Sequence, residues 1–130
     1  MEFRYSQICT TKEQSERLLT LGLKKETADM HHYQYVEGGR WNIEAHPSIA
    51  GYTNRLVPAW SLHRLIEMMP TIVNPVCDLF VSNKRVEYQM SEGRTTHIFA
   101  GENNVYDNII NCIEWLIKSD HFNKNYLDIH

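Results

Sequence analysis

The chain has 130 residues, of which 42% are hydrophobic and 22% are charged, and its formal net charge is −3 with the seven histidines counted as neutral. These values are typical of one globular domain with its own hydrophobic core, so we expect a single domain over residues 1–130. A general nucleic-acid binder concentrates basic charge, whereas the two adjacent basic pairs here, 24–25 and 84–85, have carboxylates close by. Nucleic acid is therefore not an expected partner.

The cysteine and hydropathy patterns indicate the cellular compartment. The chain has three cysteines, Cys9, Cys77 and Cys112. An odd number of cysteines without CxxC spacing predicts reduced and mostly buried thiols. Residues 1–16 lack the apolar segment of a signal peptide, and no apolar run approaches the ~18 residues that a membrane span needs. We therefore expect a cytoplasmic protein that does not act at a membrane.

The first clear element along the chain is a helix that follows a short extended lead-in over residues 1–9. Thr10 and Thr11 each begin a capping box, in which a side chain three residues later returns a hydrogen bond to the cap. The apolar pattern then predicts a helix to about Leu21, and Gly22 supplies its C-terminal stop. Residues 24–30 are expected to add one further helical turn.

Residues 31–57 have the least regular pattern of the chain. Residues 32–36 have the composition of a strand, Gly38 and Gly39 predict a turn, and residues 40–44 predict a second short strand. No regular pattern follows. Because long connections in compact domains are often functional or mobile, and loops commonly hold binding residues, we expect this region to contain the functional site.

A second, short helix is predicted between Ser61 and Pro70. Ser61 is a good N-cap, because its hydroxyl can accept a hydrogen bond from an unpaired amide of the first turn. Pro70 cannot continue a helix and ends it. The apolar residues between them have helical spacing and form one face: Leu62, Leu65, Ile66 and Met69.

Three alternating segments and a long amphipathic helix complete the chain. The segments 77–82, 85–90 and 95–100 are separated by short turns, which join only antiparallel neighbours. Asn103 or Asn104 caps the final helix, whose apolar stripe extends to about residue 117. The fold class that we expect is α+β, with an antiparallel meander sheet of three to five strands and helices packed on one face.

Four segments together resemble a family of short proteins encoded by prophages and other mobile elements of gut anaerobic bacteria. They are LGL at 21–23, KKETADM at 24–30, PAWSLHRLIEMMP at 58–70 and NNVYDNIINCIEWLI at 103–117. The resemblance covers most of the chain and is weakest at residues 40–57. It implies a mobile-element origin and an α+β fold, but it supplies no catalytic residues because the family has no established activity.

The irregular region is also rich in aromatic residues, which are favoured at protein interfaces because each combines a large apolar body with a polar tip. We expect a non-enzymatic interaction module that binds another protein, or a second copy of itself. The binding residues that we expect are Tyr33, Tyr35, Trp41 and Tyr52. An alternative is weak binding of single-stranded nucleic acid, whose bases stack on aromatic rings.

A second alternative is a metal-dependent enzyme that uses His31, Glu44 and His46. Imidazoles and a carboxylate suit zinc and similar ions, but HxxxH, HxH and HExxH spacings do not occur. The sequence also has neither a GxSxG nucleophile motif nor a phosphate-binding loop. We therefore expect no catalytic residue, no bound metal and no cofactor.

Overall fold

A computed structural model describes residues 7–45, 56–73, 77–90 and 94–128. The fold is α+β, as expected, and these ranges contain three α-helices and two antiparallel sheets of three and four strands. The chain divides into two compact units, Met1–Arg64 and Leu65–His130. The strands are thus shared between two sheets instead of forming one continuous meander. None of the helices in the described residues combines the length and the apolarity that a membrane span requires.

The first unit contains helix α1, a sheet in the order β2-β1-β3 and the start of helix α2. Both strand pairs are antiparallel, with β1 in the centre. A single 3-10 turn at Lys25–Thr27 forms the extra helical turn that the sequence predicts. The bounds of the other elements are α1 Lys12–Leu21, β1 Met30–Tyr33, β2 Asn42–Glu44, β3 Leu56–Ala59 and α2 Leu62–Met68.

Helix α1 begins and ends where the sequence predicts. The Thr11 side chain accepts from the Gln14 backbone N–H at 3.1 Å, and the Gln14 side chain accepts from the Thr11 N–H at 2.9 Å. This pair of bonds is a capping box, and it satisfies two amides that the helix itself leaves unpaired. At the other end Gly22 adopts φ +109°, the left-handed conformation that glycine reaches without steric cost.

The second unit consists of a four-stranded sheet in the order β4-β5-β6-β7, followed by helix α3. The three predicted strands of the meander are confirmed as β5, β6 and β7, and the Asn104 side chain caps α3 by accepting from the Tyr106 N–H at 2.8 Å. A 3-10 turn at Lys124–Tyr126 follows. The bounds are β4 Ile72–Val73, β5 Cys77–Val81, β6 Val86–Met90, β7 Thr95–Phe99 and α3 Val105–Lys118.

Helix α3 packs against one face of this sheet through β6 and β7. Six apolar or weakly polar side chains of α3 are buried: Tyr106, Ile109, Ile110, Cys112, Ile113 and Leu116. The Trp115 ring lies at the side of this core, with its centroid 4.2 Å from the His97 ring and 5.9 Å from the Phe99 ring. Aromatic contacts therefore border the core between α3 and the sheet.

Two strands were missed by the sequence patterns. Strand β3 contains Pro58, which lacks the N–H that a central strand needs. The position is tolerated because β3 lies at an edge of the described sheet, where Pro58 pairs with His31 across a single neighbour. Strand β4 has two residues and is too short to show an alternating pattern. The lead-in predicted before α1 lies mostly outside the described residues.

Candidate interaction surface

The candidate site is the β1–β2 hairpin of the first unit. His31 lies opposite Glu44 and Tyr33 lies opposite Asn42, so the two strands are held together up to the last residue of β1. Residues 34–41 connect them. The hairpin coincides with the first half of the irregular region in which the sequence predicts function.

A hydrogen-bonded turn fixes the tip of this hairpin. The Gly39 N–H donates to the Val36 carbonyl at 2.8 Å, and Gly38 adopts φ +76°, as the third position of a type II turn requires. A Cβ on Gly39 would lie 2.8 Å from the Val36 carbonyl oxygen, so this position also requires glycine. The Gln34 amide donates to the Gly39 carbonyl at 2.6 Å. The predicted Gly-Gly turn is thus confirmed, and the Gln34 side chain stabilises it.

Three large apolar side chains of the hairpin are exposed to solvent: Tyr35 is 50% exposed, Val36 70% and Ile43 40%. Ile43 is the cross-strand partner of His32, so its side chain lies on the opposite face of the strand pair from Tyr33. We call Tyr35 and Val36 the hairpin surface. Apolar side chains carried on a fixed turn lose little conformational entropy when a partner covers them, which favours binding. Val36 and Ile43 were not among the residues expected from sequence, because a strand pattern alone does not show which apolar side chain remains uncovered.

The ring of Tyr35 is held by Tyr33. Their centroids are 4.7 Å apart and the planes are at 80°, an edge-to-face contact. Tyr33 itself is 3% exposed and belongs to the core. Burial, together with hydrogen bonding to Tyr35 and Glu44, raises the pKa of Tyr33 above its ordinary value. Tyr33 is therefore the support of the surface, whereas Tyr35 is its exposed ring.

The other two predicted aromatic residues differ from Tyr35. Trp41 is partly exposed, and the Lys12 ammonium lies over its ring at 4.0 Å from the centroid, a cation–π contact that covers one face. A base could stack only on the other face. Tyr52 lies outside the described residues.

The TADM and PAWSL motifs are brought together by hydrogen bonds. The Asp29 carboxylate accepts from the backbone N–H of Ser61 at 2.8 Å and from its hydroxyl at 2.5 Å. The Trp60 indole N–H donates to the Thr27 hydroxyl at 2.9 Å, and Arg64 Nε donates to the Thr27 carbonyl at 2.8 Å. Both motifs therefore have a structural explanation, and neither presents a free nucleophile.

Thr10 extends this polar network inside the first unit. Its N–H donates to the Trp60 carbonyl at 2.9 Å, and its hydroxyl accepts from the Trp60 N–H at 3.0 Å. The same hydroxyl bonds the Ser15 hydroxyl at 2.8 Å, and the His32 ring Nε2 donates to the Thr10 carbonyl at 2.7 Å. Thr10 and Ser15 are fully buried, so these bonds satisfy groups that would otherwise be costly to desolvate.

Burial keeps the thiol of Cys9, beside this network, in its protonated form. Cys9 is 3% exposed, and burial, together with the negative charge of Asp29, raises its pKa to about 11. A thiol with so high a pKa is a poor nucleophile at neutral pH.

The structure brings together two of the three residues of the metal alternative. His31 and Glu44 are direct partners across β1 and β2, but the His31 Nδ1–H donates to the Ala45 carbonyl at 3.0 Å. His46 lies outside the described residues. Within those residues, no three His, Cys, Asp or Glu side chains are grouped so that they could hold a metal ion.

No protein-family model, curated protein sequence or solved structure matches this chain.

Proposed function

We propose that this chain is a small non-enzymatic protein-interaction module that binds a partner protein through the hairpin surface. The observation that carries the proposal is the exposure of Tyr35 and Val36 beside the hydrogen-bonded turn of one hairpin. Surfaces of this kind supply the buried anchors of protein interfaces, among which tyrosine is enriched. In this proposal the protein acts in the cytoplasm and belongs to a mobile element, as its resemblance implies.

The arrangement of the two tyrosines supports this function. Tyr35 rests edge-on against the buried Tyr33, so its ring is oriented before a partner arrives. An oriented aromatic anchor loses few rotamers on binding and retains more of its contact energy.

The test is quantitative affinity capture from a lysate of the source organism treated with nuclease. We expect the double variant Tyr35→Ser/Val36→Ser to capture at least about tenfold less of a stoichiometric protein partner than the wild type, because it removes the central anchors. The matched control is Ile72→Ser in the second unit, since Ile72 is also an exposed aliphatic residue, at 55%.

The control variant should capture the partner as the wild type does, and both variants should melt close to the wild-type temperature. Equal capture by the wild type and the double variant would contradict the proposal. Loss of all captured protein after nuclease treatment would also contradict it, because the contact would then depend on nucleic acid.

A further inference from the structure

The outer face of the second unit's sheet has an unusual carboxylate at its centre. Glu87 lies in the central strand β6, directly between Phe80 of β5 and Ile98 of β7. The two apolar neighbours are each 50% exposed, whereas Glu87 is only 4% exposed. Carboxylates are rarely buried to this extent unless their oxygens are paired, because desolvation of the charge is costly.

The two oxygens of the Glu87 carboxylate differ in their hydrogen bonding. Oε1 accepts a hydrogen bond from the Gln89 amide. Oε2 is buried and accepts no hydrogen bond from any residue that the structure describes. Arg85 Nε lies 3.3 Å from it, as an ion pair without hydrogen-bond geometry. One strong acceptor position of a charged group is therefore left open, which is exceptional in a folded protein.

Glu87 also lines a cavity of about 180 Å³. The cavity is lined by Phe80, Val81, Ser82, Arg85, Glu87 and Gln89. The volume suits a single side chain, and the lining combines an aromatic ring with the buried carboxylate.

We propose that this cavity is a subsite for an arginine side chain of a partner protein. A guanidinium matches the lining in two ways, because it donates paired hydrogen bonds to a carboxylate and stacks on an aromatic ring. The partner's arginine would donate to the open Oε2 and lie against Phe80. This surface is distinct from the hairpin surface, so the inference does not depend on the proposed function.

Arg85 does not already fill this role. It is two residues from Glu87 on the same strand, and its side chain is 53% exposed. Its Nε lies 3.3 Å from Oε2 without hydrogen-bond geometry, whereas a guanidinium that enters from outside the sheet can approach along the oxygen lone pairs. The half-exposed Arg85 side chain would turn to solvent as the partner's guanidinium takes its place, so the buried carboxylate keeps an opposite charge beside it.

The experiment is an NMR titration of the ¹⁵N-labelled full chain with N-ethylguanidinium chloride, with sodium chloride at equal ionic strength as the reference. We expect saturable shifts of the Phe80, Glu87 and Gln89 amides that sodium chloride does not produce. We also expect ethylammonium chloride to bind more weakly, because an ammonium cannot form the paired bonds. Shifts equal to those in sodium chloride, or tighter binding of ethylammonium, would overturn the proposal.

Three variants make the test specific. Glu87→Gln keeps the shape and removes the charge, so binding should fall about tenfold or more. Asp78→Asn removes an exposed carboxylate from the same face and should leave binding unchanged. Arg85→Gln removes the competing cation and should tighten binding. Equal losses in Glu87→Gln and Asp78→Asn would overturn the proposal, and so would weaker binding by Arg85→Gln, which remains decisive if Glu87→Gln does not fold.

Discussion

The Asp29 carboxylate and Ser61 are joined by two hydrogen bonds, one from the Ser61 backbone N–H at 2.8 Å and one from its hydroxyl at 2.5 Å. The same hydroxyl accepts from the Arg64 N–H at 3.1 Å, which is the N-cap bond of helix α2. One carboxylate therefore orients the cap of a helix that begins 33 residues further along the chain.

Removal of this carboxylate should destabilise the fold. We expect Asp29→Ala to lower the free energy of unfolding by about 1–3 kcal/mol, because two donors of Ser61 lose a charged acceptor. Chemical denaturation measures the change. Glu26→Ala is the control, since Glu26 is exposed in the neighbouring 3-10 turn, and its effect should stay within about 0.5 kcal/mol. Equal effects of the two variants would show that the Asp29 bonds add no net stability.

A nearly isosteric substitution of Thr10 tests the same network. Thr10→Val keeps the volume but leaves the buried Trp60 N–H and the Ser15 hydroxyl without the Thr10 hydroxyl. We expect a loss of about 1–3 kcal/mol in the free energy of unfolding, again measured by denaturation. Thr20→Val, at an exposed position of α1, should change stability much less. A Thr10→Val protein as stable as the wild type would contradict the importance of these bonds.

The hydrogen bonds that cap the helices were predictable from the sequence where they are local, but the long-range ones were not. Caps such as Thr11, Gly22 and Asn104 are local, because the residues that make each hydrogen bond are at most four positions apart. The pattern alone therefore predicted Gly22 and narrowed each N-cap to two neighbouring residues. The bond from Ser61 to Asp29 joins residues 32 positions apart, so no local spacing predicts it. The sequence therefore identified TADM and PAWSL as motifs without showing that they contact each other.

The candidate site was predicted in the same partial way. Composition predicted binding residues between residues 31 and 57; Tyr35 is exposed in that region, and its role in binding stays a prediction. Composition could not distinguish Tyr35 from the buried Tyr33, because the difference depends on the strand partners of Tyr33 and on the ring that covers it. Glu87 was also missed, since alternation in β6 placed it with the exposed polar residues.

The hairpin turn should depend on its first glycine. Gly38 has φ +76°, where a side chain is strained, so we expect Gly38→Ala to lower the free energy of unfolding by about 1–2 kcal/mol. Gly101→Ala is the matched control, because a Cβ there would meet no neighbouring atom and its φ is not in the left-handed region. We expect the control to be neutral or slightly stabilising. If the two variants are equally stable, the turn is not strained by a side chain.

The buried Asn108 side chain is hydrogen-bonded to the backbone of residues 84 and 102. Its Nδ2 donates to the Lys84 carbonyl at 2.5 Å and the Glu102 carbonyl at 3.0 Å, and its Oδ1 accepts from the Glu102 N–H at 3.0 Å. Asn108→Ala leaves these groups unpaired, and we expect a loss of about 3 kcal/mol or more. The exposed Asn103→Ala should cost less than about 0.5 kcal/mol. Thermal unfolding of the two variants compares them, and similar midpoints would contradict the prediction.

The buried thiols should make the fold sensitive to alkaline pH. Burial raises the pKa of Cys9 to about 11 and that of Cys112 to about 12 from an ordinary value of 9.0. Between pH 9 and these values the unfolded chain loses protons that the folded chain keeps, so stability must fall as pH rises. Below pH 9 both states are protonated and the thiols contribute no pH dependence. Cys112→Ala should therefore flatten the decline above pH 9, and an unchanged slope would contradict this explanation.

The electrostatic link between Cys9 and Asp29 can be measured directly. Because the Asp29 charge is the smaller of the two causes, Asp29→Ala should lower the pKa of the Cys9 thiol while leaving it above 9.0. An NMR titration of the Cys9 Cβ measures this value, with Glu26→Ala as the control. A Cys9 pKa that does not move would mean that the carboxylate is not electrostatically coupled to the thiol.

The most direct test of the proposed function is site-specific photocrosslinking in cells of the source organism, with a photoreactive amino acid at position 36. Val36 is the most exposed large apolar residue of the hairpin surface, at 70%. We predict one dominant protein adduct from position 36 that is absent when the same group replaces the exposed Thr20 of α1. No adduct at position 36, or the same adducts from both positions, would contradict the account of this hairpin as a protein-binding surface.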